Sequence, residues 1–121
     1  MHEMGIANSV LDAVRAETRR FPNGHIHKVG VRIGELAGVD PDAMSFCFEA
    51  LVRGTELEPL ALEIEYCPRR YQCRACGQRY PASIDGSACP ECGGPDSEFL
   101  GGDEMEIAYL EVEDGARTAG A

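Results

Sequence analysis

The chain has 121 residues, of which 44% are hydrophobic and 26% are charged. This balance suits one small domain, or one domain with an insert, and excludes a wholly disordered chain. Aspartate and glutamate number 21 against 11 lysines and arginines, so the formal charge is −10. Such an acidic surface repels a phosphate backbone, which argues against a general nucleic-acid-binding protein.

No apolar stretch reaches the length of a membrane span, and Met1-His2-Glu3-Met4 does not look like a signal peptide. We therefore expect a cytoplasmic protein that does not bind membranes. In a reducing cytosol clustered cysteines bind metal more often than they form disulfides, although a disulfide framework stays open. The chain also lacks a phosphate-binding P-loop, G-x-S-x-G and H-E-x-x-H, so we expect no enzymatic activity.

Two helices are predicted in the first half of the chain. The first runs from close to Glu3 to about Arg20, with one apolar stripe formed by Ala7, Val10, Leu11 and Val14. The second follows an Asp40 N-cap, has Pro41 at its first position and ends near Gly54. Its apolar face carries Met44, Cys47, Phe48 and Leu51, so Cys47 is interpreted as a small buried hydrophobe.

Three strands are predicted where apolar and polar residues alternate, at 26–33, at about 61–66 and at about 104–113. The last strand is too short to fold alone, so we expect all three to form one sheet. From Cys67 to about Pro95 the alternation stops and turn-forming residues dominate. The predicted fold class is α+β, with two helices on a small three-stranded sheet and a cysteine-rich insert before the last strand.

The insert contains two C-x-x-C-G motifs with twelve residues between the cysteine pairs. Two thiolates at this spacing grip one ion when the chain turns tightly, and the glycine permits a positive φ. Two such turns supply the tetrahedral shell that a structural Zn²⁺ prefers, with no position open for catalysis. Zinc would be bound by Cys73, Cys76, Cys89 and Cys92 and would make the insert zinc-ribbon-like, although an iron–sulfur cluster accepts the same ligands. With few large apolar residues, the insert should unfold without its metal.

The insert is also the basic part of the chain. Residues 67–95 carry 2 acidic and 4 basic residues, against 11 and 6 in 1–66 and 8 and 1 in 96–121. The two surplus bases offset the net charge of a zinc ion with four thiolates. The insert's arginines, with Tyr71 and Tyr80 to stack on bases, leave open an alternative function as a zinc-ribbon nucleic-acid-binding or transcription-associated module. A scaffold whose zinc shapes a protein–protein surface is a third alternative.

Three further candidate ligands are interpreted as ordinary residues. Cys67 precedes Pro68 at a strand end, and its spacing to Cys73 fits no metal-binding turn. His25 and His27 flank one residue of a strand with no third ligand evident, so we expect both to be exposed to solvent.

The amino terminus offers a different set of ligands. The amine of Met1, successive backbone amides and the imidazole of His2 can all reach one ion, and such nitrogen-rich coordination is typical of Ni(II) or Cu(II). The first amides of a helix have no carbonyl partner within it, so losing their protons costs no helical hydrogen bond. Composition alone favours a different interpretation, an ordinary surface histidine beside a Glu3 that suits the helix dipole.

Three features occur in order: Met1-His2-Glu3-Met4 opening an amphipathic helix, the paired C-x-x-C-G motifs, and Gly102-Asp103-Glu104-Met105-Glu106-Ile107 opening the last strand. Together they resemble the HypA/HybF family of hydrogenase maturation nickel metallochaperones, over nearly the whole chain except the C-terminal tail. The resemblance implies that Met1, His2 and Glu3 hold Ni(II) as transferred cargo and that the four cysteines hold structural Zn(II). It also implies a HypB-type GTPase and the large subunit of [NiFe]-hydrogenase as partners.

On this interpretation, residues 1–66 and 103–114 form an α+β nickel-binding domain, 67–102 a zinc-binding domain and 115–121 a flexible tail. We expect a monomer or weak homodimer that transfers nickel by ligand exchange rather than by catalysis, without binding nucleic acid. The resemblance carries over no role for Cys67 or for the acidic tail.

Overall fold

The computed structural model describes residues 2–82 and 88–114. Its helices are α1 (His2–Thr18) and α2 (Pro41–Val52), with a short 3-10 helix at Glu35–Ala37. Its strands are β1 (Gly24–Gly34), β2 (Ala61–Cys67), β3 (Arg70–Cys73), β4 (Arg79–Pro81), β5 (Ser97–Gly101) and β6 (Met105–Asp114). Within these ranges no helix is both long enough and apolar enough to cross a bilayer. Met1 and the predicted tail at 115–121 lie outside the described residues.

The strands form two three-stranded sheets. One has the order β2-β1-β6, so the strand that follows the insert pairs with β1, as expected. The other, β4-β3-β5, lies within the insert, and both of its pairings are antiparallel. The predicted α+β fold class is therefore confirmed, and the insert at 67–102 contains three short strands.

The described residues divide into two compact units. One contains 2–31, 39–65 and 106–114, and the other contains 32–38, 66–82 and 88–105. The second unit thus takes in the end of β1 and the 3-10 helix. Two charge-assisted hydrogen bonds connect the 3-10 helix to the start of the insert. The Glu35 carboxylate accepts them from the backbone N–H of Arg69 at 3.1 Å and from Arg69 Nε at 3.0 Å. The N–H of Arg69, more than its guanidinium, holds the pKa of Glu35 below its usual range.

The turn before β6 depends on a glycine and a glutamate. Gly102 has a φ of 124°, and a Cβ there would meet the backbone of Arg69. Glu104 Oε1 accepts a hydrogen bond from the N–H of Gly102 at 2.9 Å, and Oε2 accepts one from Arg70 Nη2 at 3.0 Å. The N–H of Gly34 donates to the carbonyl of Glu104 at 2.7 Å. The Gly-Asp-Glu motif noted in the sequence therefore holds the end of β1 to the start of β6.

The core of the first unit lies where α1 packs against α2. The predicted stripe of α1 is buried, at Ala7, Val10, Leu11 and Val14. In α2 the buried residues are Met44, Cys47, Phe48 and Val52, and Cys47 is 4% exposed, as expected for a small hydrophobe. Leu51 is only half-buried, because Val52 and not Leu51 completes the buried face one turn beyond Phe48. The helix begins as predicted, since Asp40 Oδ1 accepts from the N–H of Asp42 at 3.0 Å and of Ala43 at 3.4 Å.

Side chains of β6 and β2, the two outer strands of the first sheet, are joined across β1 by a hydrogen bond. The ring of Tyr109 in β6 lies where a side chain at Gly30 would stand. Its hydroxyl donates to Glu63 Oε1 in β2 at 2.7 Å, and Lys28 Nζ lies 3.5 Å from Glu63 Oε2. Hydrogen bonding to the Glu63 carboxylate is the main reason that the pKa of Tyr109 is raised to about 12. The absence of a side chain at Gly30 is what lets this hydrogen bond cross β1.

Gly30→Ala should lower the free energy of unfolding by about 1–3 kcal/mol, because the new Cβ would overlap the ring of Tyr109. Urea denaturation followed by circular dichroism measures the change. Gly5→Ala is the matched control: in α1 a Cβ at Gly5 meets nothing within 4 Å, so alanine should stabilise by about 0.5–1 kcal/mol. In a Tyr109→Ala background the Gly30→Ala penalty should vanish, and a penalty that persists there contradicts the overlap.

Candidate metal centres

The four predicted zinc ligands are brought together by the fold. The sulfur atoms of Cys73, Cys76, Cys89 and Cys92 all lie within 4.8 Å of one another. Cys73 Sγ is 3.5 Å from Cys92 Sγ, and Cys76 Sγ is 3.7 Å from Cys89 Sγ. A tetrahedral ion with metal–sulfur bonds of about 2.3 Å holds its sulfurs about 3.8 Å apart. The spacing therefore suits one ion, whereas a cluster with each thiolate on a different iron would spread the sulfurs further.

Each cysteine pair sits in the same backbone turn. The N–H of Gly77 donates to the carbonyl of Cys73 at 2.9 Å, and the N–H of Gly93 donates to that of Cys89 at 2.8 Å. Both glycines adopt a positive φ, 81° at Gly77 and 73° at Gly93, as the motif predicted. In the first turn the N–H of Cys76 also points at Cys73 Sγ, at 3.5 Å. The repeated turn thus brings the two sulfurs of each pair to positions from which they can share one ion.

The cluster lies on a small aromatic core. Cys73 and Cys89 are 1% and 2% exposed and are buried together with Tyr80, whereas the other two cysteines are exposed. Tyr71 stacks on Tyr80 with ring centroids 6.0 Å apart and meets Phe99 edge-on at 5.8 Å. One side of the cluster is therefore dry and the other faces solvent.

Without a metal the four thiols cannot all ionise, because each sulfur has other sulfurs beside it. The N–H of Cys76 donates to Cys73 and lowers the pKa of Cys73 to about 7. Against the lowering effect of the N–H of Gln78, burial and the neighbouring thiols raise the pKa of Cys76 to about 12. Against the N–H of Gly94, the thiol of Cys73 and burial raise the pKa of Cys92. A cation shared by the four sulfurs would favour the thiolate form of every one.

Most of the residues that left a nucleic-acid function open have partners within the second unit. Arg69 bonds to Glu35, Arg70 bonds to Glu104, and Arg74 Nη1 lies 3.8 Å from Asp96 Oδ1. Tyr80 is 5% exposed, and its face is covered by Tyr71. Arg69, Arg70 and Arg74 therefore take part in ion pairs of the fold, and the burial of Tyr80 disfavours base stacking on its ring.

At the amino terminus, the described part of the candidate nickel site is the start of α1. His2 is exposed as the first residue of the helix, and Met1 lies outside the described residues. Glu3 Oε2 accepts a hydrogen bond from the backbone N–H of Asp40 at 3.2 Å, and this bond is the main reason that the pKa of Glu3 is lowered. The sequence pattern predicts Asp40 only as the N-cap of α2. Glu3 and Asp40 are 37 positions apart in the chain, and the sequence carries no signal that would pair them.

The remaining candidates stay outside both sites. His25 and His27 are exposed on β1, as predicted, and Cys67 is buried at the end of β2. None of the three belongs to the four-cysteine group. That group is the single place in 2–82 and 88–114 where three or more possible ligands lie close enough to share an ion.

Comparison with known proteins identifies the family. The family model described as "Hydrogenase/urease nickel incorporation, metallochaperone, hypA" matches residues 1–112. The hydrogenase maturation factor HypA of Albidiferax ferrireducens is 38% identical over 113 residues, which span 93% of this chain and 100% of that protein. HypA of Geobacter metallireducens is 41% identical over 113 residues, with the same coverage of 93% and 100%.

Solved structures share the fold. The solution structure of the Ni metallochaperone HypA from Helicobacter pylori has a TM-score of 0.59 at 24% identity, covering 92% of this chain and 97% of that one. A second solution structure of a HypA protein has a TM-score of 0.63 at 23% identity, covering 92% and 95%. The resemblance noted in the sequence is confirmed by the family model and by the relatives. The chain belongs to the HypA family of hydrogenase and urease nickel-incorporation metallochaperones.

Proposed function

We propose that this protein binds Ni(II) at its amino terminus and helps to insert it into [NiFe]-hydrogenase. It would exchange the ion with a HypB-type GTPase and deliver it to the hydrogenase large subunit, as a monomer or weak homodimer in the cytoplasm. Membership of the family supports the nickel function. The observation that carries the site is the exposed His2 at the first position of α1.

In this proposal the ion is cargo, held by the amine of Met1, the imidazole of His2 and the backbone nitrogens of His2 and Glu3. The Glu3 side chain does not need to ligate, because its carboxylate is engaged by the N–H of Asp40. That bond holds the first turn of α1 against the start of α2 and keeps the two backbone nitrogens in place. Transfer is ligand exchange, in which a partner's ligand replaces one nitrogen at a time.

Nickel binding should require a native amino terminus. Adding residues before Met1 removes the amine, and His2→Ala removes the imidazole, so each should weaken Ni(II) binding by more than about tenfold in isothermal titration. The same residues added after Ala121 are the matched control and should leave the affinity unchanged. Equal affinity in all four proteins would end the terminal-site proposal.

Nickel affinity should also fall steadily as the pH is lowered from about 8 to about 5.5. The amine, amide and imidazole must each be free of the proton that nickel displaces, so added protons compete with the ion. Titrations across this range, in buffers that do not chelate nickel, measure the slope. A nickel affinity that does not change between these pH values would contradict nitrogen coordination. This holds even if the protein with residues added before Met1 fails to bind nickel.

We propose that the four cysteines hold a structural Zn(II). The sulfur spacing supports this assignment, and four thiolates leave no open position for a substrate. The ion would hold together a zinc-binding domain at 67–102, while 1–66 and 103–114 form the nickel-binding domain. A reducing cytoplasm suits such a site, because it keeps the thiols available to metal.

The purified protein should contain about one zinc per chain, and Cys73→Ser should lose both the zinc and the folded insert. Cys47→Ala, in the core of the first unit, is the matched control and should keep its zinc. Cysteine thiols ordinarily carry protons at neutral pH, since their reference pKa is about 8.5, and zinc must displace those protons. Zinc binding should therefore release protons and weaken on acidification, which an indicator dye measures. Bound iron, or a folded insert after chelation, contradicts the assignment.

A further inference from the structure

Beside the proposed metal sites, the first unit contains a groove between α2 and β2. Its volume is about 550 Å³. The buried side chains of Phe48, Val52 and Leu60 and the half-buried Leu62 form its apolar lining. Glu49 and Glu58 line it as well and are exposed. The groove is therefore apolar inside and carries carboxylates where it opens to solvent.

One wall of the groove is the start of an edge strand. The sheet order β2-β1-β6 places β2 at the margin, with β1 as its neighbour among the described strands. An edge strand presents a row of backbone N–H and C=O groups that an added strand can pair with. Alternate side chains of an added strand point to the same face, so those on the helix side would enter the groove. A groove between a helix and a sheet edge is a known setting for strand addition by an extended peptide.

The negative charge of the groove and of the chain favours a basic occupant. The groove lining carries Glu49 and Glu58 against one base, Arg53, and the whole chain has a charge of −10. A second copy brings the same charge, and its other edge strand, β6, carries glutamates at 106, 111 and 113. Like charges across an interface are unfavourable, so a segment with lysine or arginine fits better than a second copy.

An aromatic residue stands next to the opening. Phe46, on α2, is 73% exposed, the largest exposed fraction among the large apolar side chains of the described residues. It lies three residues before Glu49 and seven before Arg53, on the same side of the helix. A chain that enters the groove along α2 would meet this ring, and exposed aromatic rings are common anchors in protein interfaces.

We propose that this groove binds an extended, basic segment of a partner protein. The segment adds a strand to the edge of β2, seats an apolar side chain on Phe48, Val52 and Leu60, and directs a lysine or arginine to Glu49 and Glu58. The proposal goes beyond nickel transfer and needs neither metal, since every residue named belongs to the first unit.

A capped, fluorescein-labelled peptide in which lysine alternates with valine and isoleucine tests the proposal by fluorescence anisotropy with the full-length protein. Ser45→Trp fills the groove, because Ser45 lines it and is half-buried. The matched control is Ala50→Trp, an exposed position on α2 outside the lining. Ser45→Trp should weaken peptide binding by at least about tenfold and Ala50→Trp should not change it. The surface double variant Glu49→Lys/Glu58→Lys should weaken it about as much without threatening the core.

Two peptides separate strand addition from simple charge attraction. Methylation of alternate backbone nitrogens along one edge keeps every side chain but removes the amide donors, and should abolish binding. Replacing lysine by glutamate should abolish it as well. Equal binding by Ser45→Trp and Ala50→Trp, or full binding of the methylated peptide, overturns the proposal. The proposal is also overturned if the peptide fails to bind and sedimentation shows a dimer that Ser45→Trp converts to a monomer. In that case the groove is occupied by a second copy of the chain.

Discussion

Four sulfur atoms lie within 4.8 Å of one another, so their thiolate forms repel unless a shared cation offsets the charge. The rest of the insert depends on this constraint. Its own core consists of Cys73, Tyr80 and Cys89 with Tyr71 packed against them, which is little apolar surface for a three-stranded sheet. A structural zinc contributes on the order of 10–16 kcal/mol in small zinc-binding peptides. The proposed ion would therefore supply most of what holds the insert in one conformation.

The insert interrupts a sheet, so the chain must leave β2 and return beside β1. The return is made by hydrogen bonds that reach from the end of β1 to Arg69 and to the turn at Gly102–Glu104. The positive φ of Gly102 and the carboxylate of Glu104 explain why this short motif marks the start of the last strand. The same bonds engage Arg69 and Arg70, which removes them from the basic surface that the sequence suggested.

In the first unit, α2 takes part in both proposed interactions. Its cap residue, Asp40, holds Glu3 and so positions the first turn of α1, where nickel would bind. Its later turns line the groove beside β2, where a partner strand would bind. Because α2 contributes to the nickel site and to the groove, it would position a partner in the groove as well as the first turn of α1.

The sequence by itself determined the features that depend on neighbouring residues. Helix periodicity, the Asp40 cap and the two cysteine turns each involve residues a few positions apart, and all three are present in the structure. Only the tertiary structure decided which face of β6 is covered, since its alternation leaves apolar residues on both: Leu110 is half-buried while Ile107 and Tyr109 are exposed. It also decided that Glu3 meets Asp40 and that Tyr109 reaches Glu63 across Gly30. These contacts join residues far apart in the chain, and packing selects them from many pairs that the sequence permits equally.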